Sequence, residues 1–338
     1  MLPIPFIQAE IAFAPTDRFP RCHCSTLVEC PNGDLLVAFY AGEDEALPDV
    51  AVVSVRKRAG ADTWDPVTII ADTPGKPEGN PVLFADPSGK LWLFYGTMHG
   101  PVRGNGQGVS WATVDQKYKT STDNGYTWSE DVMLREEWGY VFRNKPIVLS
   151  NGDFILGTGA GRGQSRFLIS EDAGETWFYS APVAGVANTH PTLIERTDGS
   201  LFALLRPAGT SGPDRKPRIA RTQSFDKGRT WTDAVYTDLP NHGAAFDMVK
   251  LQDGRVVLVF NNSEVDRTVL TLALSEDEGE TWPYMRDLET PPGTYEYPAI
   301  IQDRAGVLHV TYSVGPELWN RDHIKHVALT PDWITEAP

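Results

Sequence analysis

The chain is predicted to fold as an all-β, six-bladed β-propeller, and three observations carry that prediction. Between turn signals its segments are short, β-branched and aromatic, with few stretches of helical length among 338 residues that include 30 Gly and 26 Pro. An eight-residue motif, Ser-x-Asp-x-Gly-x-Thr-Trp, occurs four times. A longer pattern of apolar run, Gly-containing turn and second apolar run occurs six times, with a period suited to a four-stranded blade.

Taken in chain order, the strand-like IQAEIAFA near the N-terminus is expected to join the last blade and close the ring. The six units follow as CSTLVECPNGDLLVAF, NPVLFADPSGKLWLFY, NKPIVLSNGDFILGT, HPTLIERTDGSLFALLR, FDMVKLQDGRVVLVF and YPAIIQDRAGVLHVTY. Their turn glycines, Gly33, Gly89, Gly152, Gly199, Gly254 and Gly306, are 56, 63, 47, 55 and 52 residues apart. One closed ring over residues 1–338, rather than two domains, accounts for that regularity.

The eight-residue boxes STDNGYTW, SEDAGETW, SFDKGRTW and SEDEGETW begin at Ser121, Ser170, Ser224 and Ser275. In each, Asp is suited to bonding the turn amides, Gly to a positive φ, and Trp to burying a large face beneath the hairpin. The boxes read as structural pins. A degenerate copy, RKRAGADTW, ends at Trp64.

In a propeller the innermost strands begin around one mouth of the central channel. The aligned starts are Cys24, Asn80, Asn144, His190, Phe246 and Tyr297, with His23, Lys145 and Asp247 beside them. So polar a set at the start of buried strands marks either a binding site or a self-satisfied channel. Asn80, Lys145 and Asp247 are accordingly candidate substrate-binding residues.

Boxes, units and their order together make the chain resemble the sialidase (neuraminidase) superfamily, in its branch of BNR-repeat neuraminidase-like proteins. The resemblance implies an arginine clamp for a substrate carboxylate, a tyrosine nucleophile served by a glutamate, and an acid/base aspartate on a loop. By it, Tyr297 of YPAII is the nucleophile, and Arg206 and Arg267 are the second and third clamp arginines. Two positions depart: His23 stands where the first arginine would be, and His190 where the glutamate would be. Arg18 or Arg21 is then placed to approach from the same segment, and His190 to act as base for Tyr297. The loop AGEDEALPDV offers Glu43, Asp44, Glu45 and Asp49, with Glu43 or Asp44 favoured as the acid.

Those residue types suit one chemistry. Guanidinium forks bind carboxylates bidentately, and a neutral phenol attacking a carbon that bears a carboxylate avoids the repulsion an Asp or Glu nucleophile would meet. With 45 acidic and 30 basic residues the chain carries a formal charge of −15, which disfavours nucleic acid and anionic membranes as partners. The expected partner is an acidic carbohydrate, with no cofactor, no metal and no readable oligomeric state.

Cys22, Cys24 and Cys30 are an odd count in nine residues, no disulfide framework and a poor zinc site. MLPIPFIQAE shows no signal-peptide pattern, so the expectation is a cytoplasmic location or, as the alternative, a secreted protein read from its mature end. GPVRGNGQG reads as a rim loop, and Trp111, Trp138 and Tyr140 as candidates for stacking on sugars. Three functions remain open. The first is an exo-acting glycoside hydrolase removing a terminal acidic sugar, the second a lyase acting on uronic acids, and the third a non-catalytic glycan-binding propeller.

Overall fold

A computed structural model describes residues 6–104, 108–135, 137–160, 163–208, 216–318 and 320–336. The centre of the rim loop GPVRGNGQG, residues 105–107, lies outside them, as do residues 1–5 of the N-terminal segment. The architecture is a six-bladed β-propeller. Blade 1 is Arg21–Glu29, Leu35–Gly42, Ala51–Lys57 and Thr68–Ala71. Blade 2 is Glu78–Ala85, Leu91–Met98, Val114–Ser121 and Val132–Arg135.

In blade 3 the inner strand is broken into Tyr140–Phe142 and Ile147–Val148, both paired to Phe154–Ala160, with Arg166–Ser170 and Phe178–Tyr179 outside. Blade 4 is Asn188–Glu195, Leu201–Pro207, Arg218–Ser224 and Val235–Pro240. Blade 5 is Asp247–Lys250, Val256–Phe260, Leu270–Ser275 and Tyr284–Glu289. Blade 6 takes Thr294–Gln302, Leu308–Gly315 and His323–Leu329 from the C-terminal end. Its outer strand is Ile7–Phe13, antiparallel to His323–Leu329 with Ile7 opposite Leu329. The ring is thus tied by joining the two ends of the chain, and no blade is left with a missing strand.

Strand direction alternates within every blade, so each end of the ring has its own set of loops. The strand starts, the loops after second strands and the blade-to-blade connections share the mouth, while the glycine turns and Asp boxes share the opposite end. In each box the Asp accepts from the backbone and hydroxyl of the box Thr, for example Asp172 from Thr176 N at 2.8 Å and Oγ1 at 2.5 Å. The box glycine lies against the preceding blade. A Cβ on Gly174 would overlap Trp92 Cη2, and one on Gly279 would stand 2.7 Å from Phe202 Cε1. The boxes therefore staple blade to blade, at the end remote from the site.

Packing between blades is apolar. Val82, Trp92 and Phe94 of blade 2 meet Phe142, Phe154, Leu156, Leu168 and Trp177 of blade 3. Burial of such sheet faces removes large apolar areas from water and is the main stabilising contribution. Phe246, expected at the channel, is instead fully buried with Ile194, Phe202, Met248 and Phe260, because an apolar ring gains more between blades than beside a polar axis. Among the described residues, no helix is long and apolar enough to cross a membrane.

Candidate active site

Four inner strands make the same local departure. The antiparallel register slips between His23 and Thr26, Gly79 and Val82, Thr189 and Thr192, and Glu296 and Ala299. In each slip one non-glycine residue takes a left-handed conformation: Cys24 (φ 59°), Asn80 (φ 48°), His190 (φ 46°) and Tyr297 (φ 51°). Each such residue costs about 1–2 kcal/mol, and a bulge re-aims the side chains around it. The repeated strain lies where the strands open on the mouth.

Tyr297 is the hub. Its hydroxyl accepts a hydrogen bond from Arg206 Nη1 at 2.8 Å. The guanidinium carbons of Arg143, Arg206 and Arg267 stand 5.2, 5.7 and 5.6 Å from its ring centroid. His23 packs against the same ring at 4.2 Å, and His190 lies edge-on at 5.9 Å. The three residues transferred by resemblance, Tyr297, Arg206 and Arg267, therefore converge on one place.

A fourth guanidinium completes the cluster. Arg321, from the loop after the second strand of blade 6, is buried and reaches Glu296 Oε2 at 3.4 Å and Glu45 Oε2 at 2.8 Å. Glu296 also pairs with Arg267. The other oxygen of Glu45 accepts from Trp111 Nε1 at 3.0 Å. Arg21, His23, Tyr40, Asp44, Glu45 and Arg321 line a narrow cleft here. Arg143, Arg206, Arg267 and Arg321 against Glu45, Glu296 and the cleft-lining Asp44 leave a local positive excess within an acidic protein, the electrostatics an anionic ligand requires.

Both histidines are held neutral. Burial, then the charges of Arg321, Arg267, Arg143 and Arg206, push His23 well below the ordinary imidazole range. Burial, then Arg206, Arg143 and Arg267, do the same to His190. Burial and Glu45 raise the Tyr40 hydroxyl far above its usual value. Burial alone would lower Arg321, but Tyr40, Glu45 and Glu296 raise it, keeping it charged. Because a guanidinium only donates, the 3.3 Å contact from Arg206 Nη1 makes His190 Nδ1 the nitrogen with the lone pair.

Several sequence expectations change. His190 does not bond the Tyr297 hydroxyl directly; Arg206 Nη1 stands between them and bonds both. Glu43 and Asp44 are both exposed; the Glu43 amide bonds Asp49 Oδ2 at 2.7 Å, and of the two only Asp44 lines the cleft, beside the half-buried Glu45. Lys145 and Asp247 are taken up by the ring itself. Asp247 accepts from Lys145 Nζ at 2.8 Å, Thr192 Oγ1 at 3.0 Å, Met248 N at 2.8 Å and Ile300 N at 3.0 Å, which joins blades 3, 4, 5 and 6. Asn80 is buried at the blade 2 bulge, and Arg21 lies on the cleft wall. Arg143, Arg321, Glu296 and Tyr40 carry no repeat signature. The one hint was the arginine vacancy at His23, beside which Arg321 now stands, its carbonyl accepting from Cys22 N at 3.1 Å.

A family profile described as BNR repeat-like domain matches residues 33–310. The sialidase of Micromonospora viridifaciens is 25% identical over 346 residues, covering 92% of this chain and 52% of that protein, so the chain spans about half of that relative's length. A protein of unknown function from Dyadobacter fermentans superposes with TM-score 0.80 at 21% identity, over 97% of this chain and 100% of that one. The intramolecular trans-sialidase of Ruminococcus gnavus superposes with TM-score 0.78 at 16% identity, over 97% and 98%. At such identities the structural likenesses speak for the fold. The profile match over most of the chain, together with the six blades and their boxes, makes this protein a member of the BNR repeat-like family within the sialidase superfamily.

Proposed function

We propose that the protein is an exo-acting glycoside hydrolase that holds a terminal acidic sugar by its carboxylate and cleaves the adjoining glycosidic bond. The observation that carries this reading is that Arg206 bonds the Tyr297 hydroxyl, Arg267 stands over the same ring, and Arg321 shares the neighbouring Glu296 with Arg267. Relatives bearing the names sialidase and anhydrosialidase support a sialic acid or related sugar as the substrate class.

The roles follow from the contacts. A substrate carboxylate competes for Arg206, and when Arg206 turns to it, the phenol oxygen and His190 Nδ1 lose their shared donor and face each other. The Tyr297 proton passes to His190 as the phenol oxygen bonds the anomeric carbon. The glycosidic C–O bond breaks, and the leaving oxygen takes a proton from Asp44. Water then reverses the covalent step, with its proton going to Asp44 and the phenol regaining its proton from His190. Glu45 is committed to Arg321 as a carboxylate, which leaves Asp44 as the cleft-lining acid.

One observation favours a second reading, elimination from a uronic acid. The helper at Tyr297 is a neutral imidazole rather than a carboxylate, and a neutral base beside carboxylate-binding arginines suits abstraction of a proton next to a carboxylate. The experiment is incubation with a panel of sialosides and uronic acid oligosaccharides, following sugar release and ultraviolet absorbance together. Release without new absorbance supports hydrolysis; absorbance from a new double bond supports elimination. Binding without turnover, unaltered by Tyr297→Phe, supports a glycan-binding protein and overturns both.

A further inference from the structure

The inner strand of blade 3 departs furthest from regular pairing. Between the pairing of Phe142 with Thr158 and that of Ile147 with Ile155, residues 143–146 stand opposite only Leu156 and Gly157. Three consecutive side chains of this excursion donate across the axis. Arg143 reaches the carbonyls of Ser25 at 3.3 Å and Pro298 at 2.6 Å, and Asn144 reaches that of Pro191 at 3.0 Å, with the His190 carbonyl beside it at 3.5 Å. Lys145 reaches the Asp247 carboxylate and the Met248 carbonyl. One short segment of blade 3 thus holds blades 1, 4, 5 and 6.

The carbonyls bonded by Arg143 and Asn144 have a position in common. Ser25, Pro298, His190 and Pro191 all lie within the register slips that carry Cys24, His190 and Tyr297 at positive φ. Residues inside a bulge lose their ladder partners, so their carbonyls take donors from elsewhere. Arg143 supplies the bulges of blades 1 and 6, and Asn144 that of blade 4. The strained backbone that aims Tyr297 is therefore held through the next residue, Pro298.

Arg143 also acts on the phenol ring. It is fully buried, its guanidinium carbon stands 5.2 Å from the Tyr297 ring centroid, and among the described residues no ion pair joins it to a carboxylate. Arg267, over the same ring, is paired with Glu296, and Arg206 turns to the substrate in the reaction proposed above. The Arg143 charge is the one that stays in place as the phenol oxygen gains negative charge in either covalent step. We infer that Arg143 is a positioning residue for Tyr297, fixing its bulge through Pro298 and its ring through charge, with Asn144 fixing the bulge of His190. This rests on the acidic-sugar reading and gives blade 3 a part in the reaction, although both side chains are buried.

The test is steady-state kinetics of the wild type, Arg143→Met, Arg143→Lys and Asn144→Ser on whichever of sialyllactose and digalacturonic acid the wild type turns over, with rates referred to the folded fraction. A misplaced reacting group slows the chemical step and leaves carboxylate binding alone. In Arg143→Met, kcat is expected to fall about a hundredfold with KM within about twofold; Arg143→Lys regains about tenfold, and Asn144→Ser loses about tenfold in kcat alone. If Arg143→Met does not fold, the other two variants carry the test, each with kcat reduced and KM held. Wild-type kcat in the variants, a loss that appears in KM, or a Lys variant no faster than the Met variant overturns the role and leaves the acidic-sugar reading standing. Turnover of neither probe by the wild type overturns that reading and the role with it.

Discussion

His190 and Tyr297 occupy equivalent bulges two blades apart, with φ of 46° and 51°, and both reach the same Nη1 of Arg206. One guanidinium nitrogen thereby bridges the candidate base and the candidate nucleophile. In the proposed mechanism, a substrate carboxylate that draws Arg206 away lets the two meet.

Arg206→Met is expected to weaken binding of an acidic sugar by about tenfold to a hundredfold, the worth of a charge-assisted hydrogen bond. A binding isotherm checks it. Unchanged affinity would remove Arg206 from the clamp.

The same substitution carries a pH signature. Arg206 is the leading charge among those that hold the His190 pKa down, so its loss lets that pKa rise toward 6.5. The acidic limb of the kcat/KM profile is expected to move to higher pH in Arg206→Met. A limb that stays in place would separate His190 from the proton transfer.

Glu296 is fully buried and shared by Arg267 and Arg321. Arg267→Met leaves that carboxylate short of one partner and is expected to cost about 3 kcal/mol of stability, with partial recovery on adding Glu296→Gln. Urea unfolding of the two single variants and the double variant measures the coupling.

Two glycines with nearly equal torsions separate strain from packing. At Gly152 (φ 93°) an added methyl would meet nothing within 4 Å, whereas at Gly174 (φ 92°) it would be pressed into the Trp92 ring. Gly152→Ala should cost about 1 kcal/mol, and Gly174→Ala about 2 kcal/mol more. Equal melting temperatures for the two variants would deny the box its role against the neighbouring blade.

The seam that closes the ring should be acid-sensitive. His326 bonds His309 at 2.9 Å and Glu10 at 2.9 Å; Glu10 also holds Lys57, and His309 also meets Asp303. Burial, then His309, lowers the His326 pKa to about 4. A histidine depressed on folding takes up its proton more readily when unfolded, so its contribution is complete above about pH 6.5 and lost as pH falls toward 4. The loss is about 3 kcal/mol by this linkage, and His326→Gln should flatten that part of the stability curve.

Fold and site were legible to different depths. Asp boxes and turn glycines are local devices: Ser, Asp, Gly and Thr within eight residues bond one another, so their spacing reveals them without knowledge of the rest of the chain. Because each repeat must bury its faces on the next, their number also determined the ring. Tyr297 was readable as a strand start in that repeat, whereas its role and the choice of Arg206 and Arg267 came from the family resemblance. The partners of these residues were legible in neither way. Arg321 and Glu45 come from loops 276 residues apart, and Asp247 collects donors from four blades. Which carboxylate meets which guanidinium depends on long-range closure of the ring, and on the cost of leaving a buried charge unpaired, a requirement that only the assembled blades can meet.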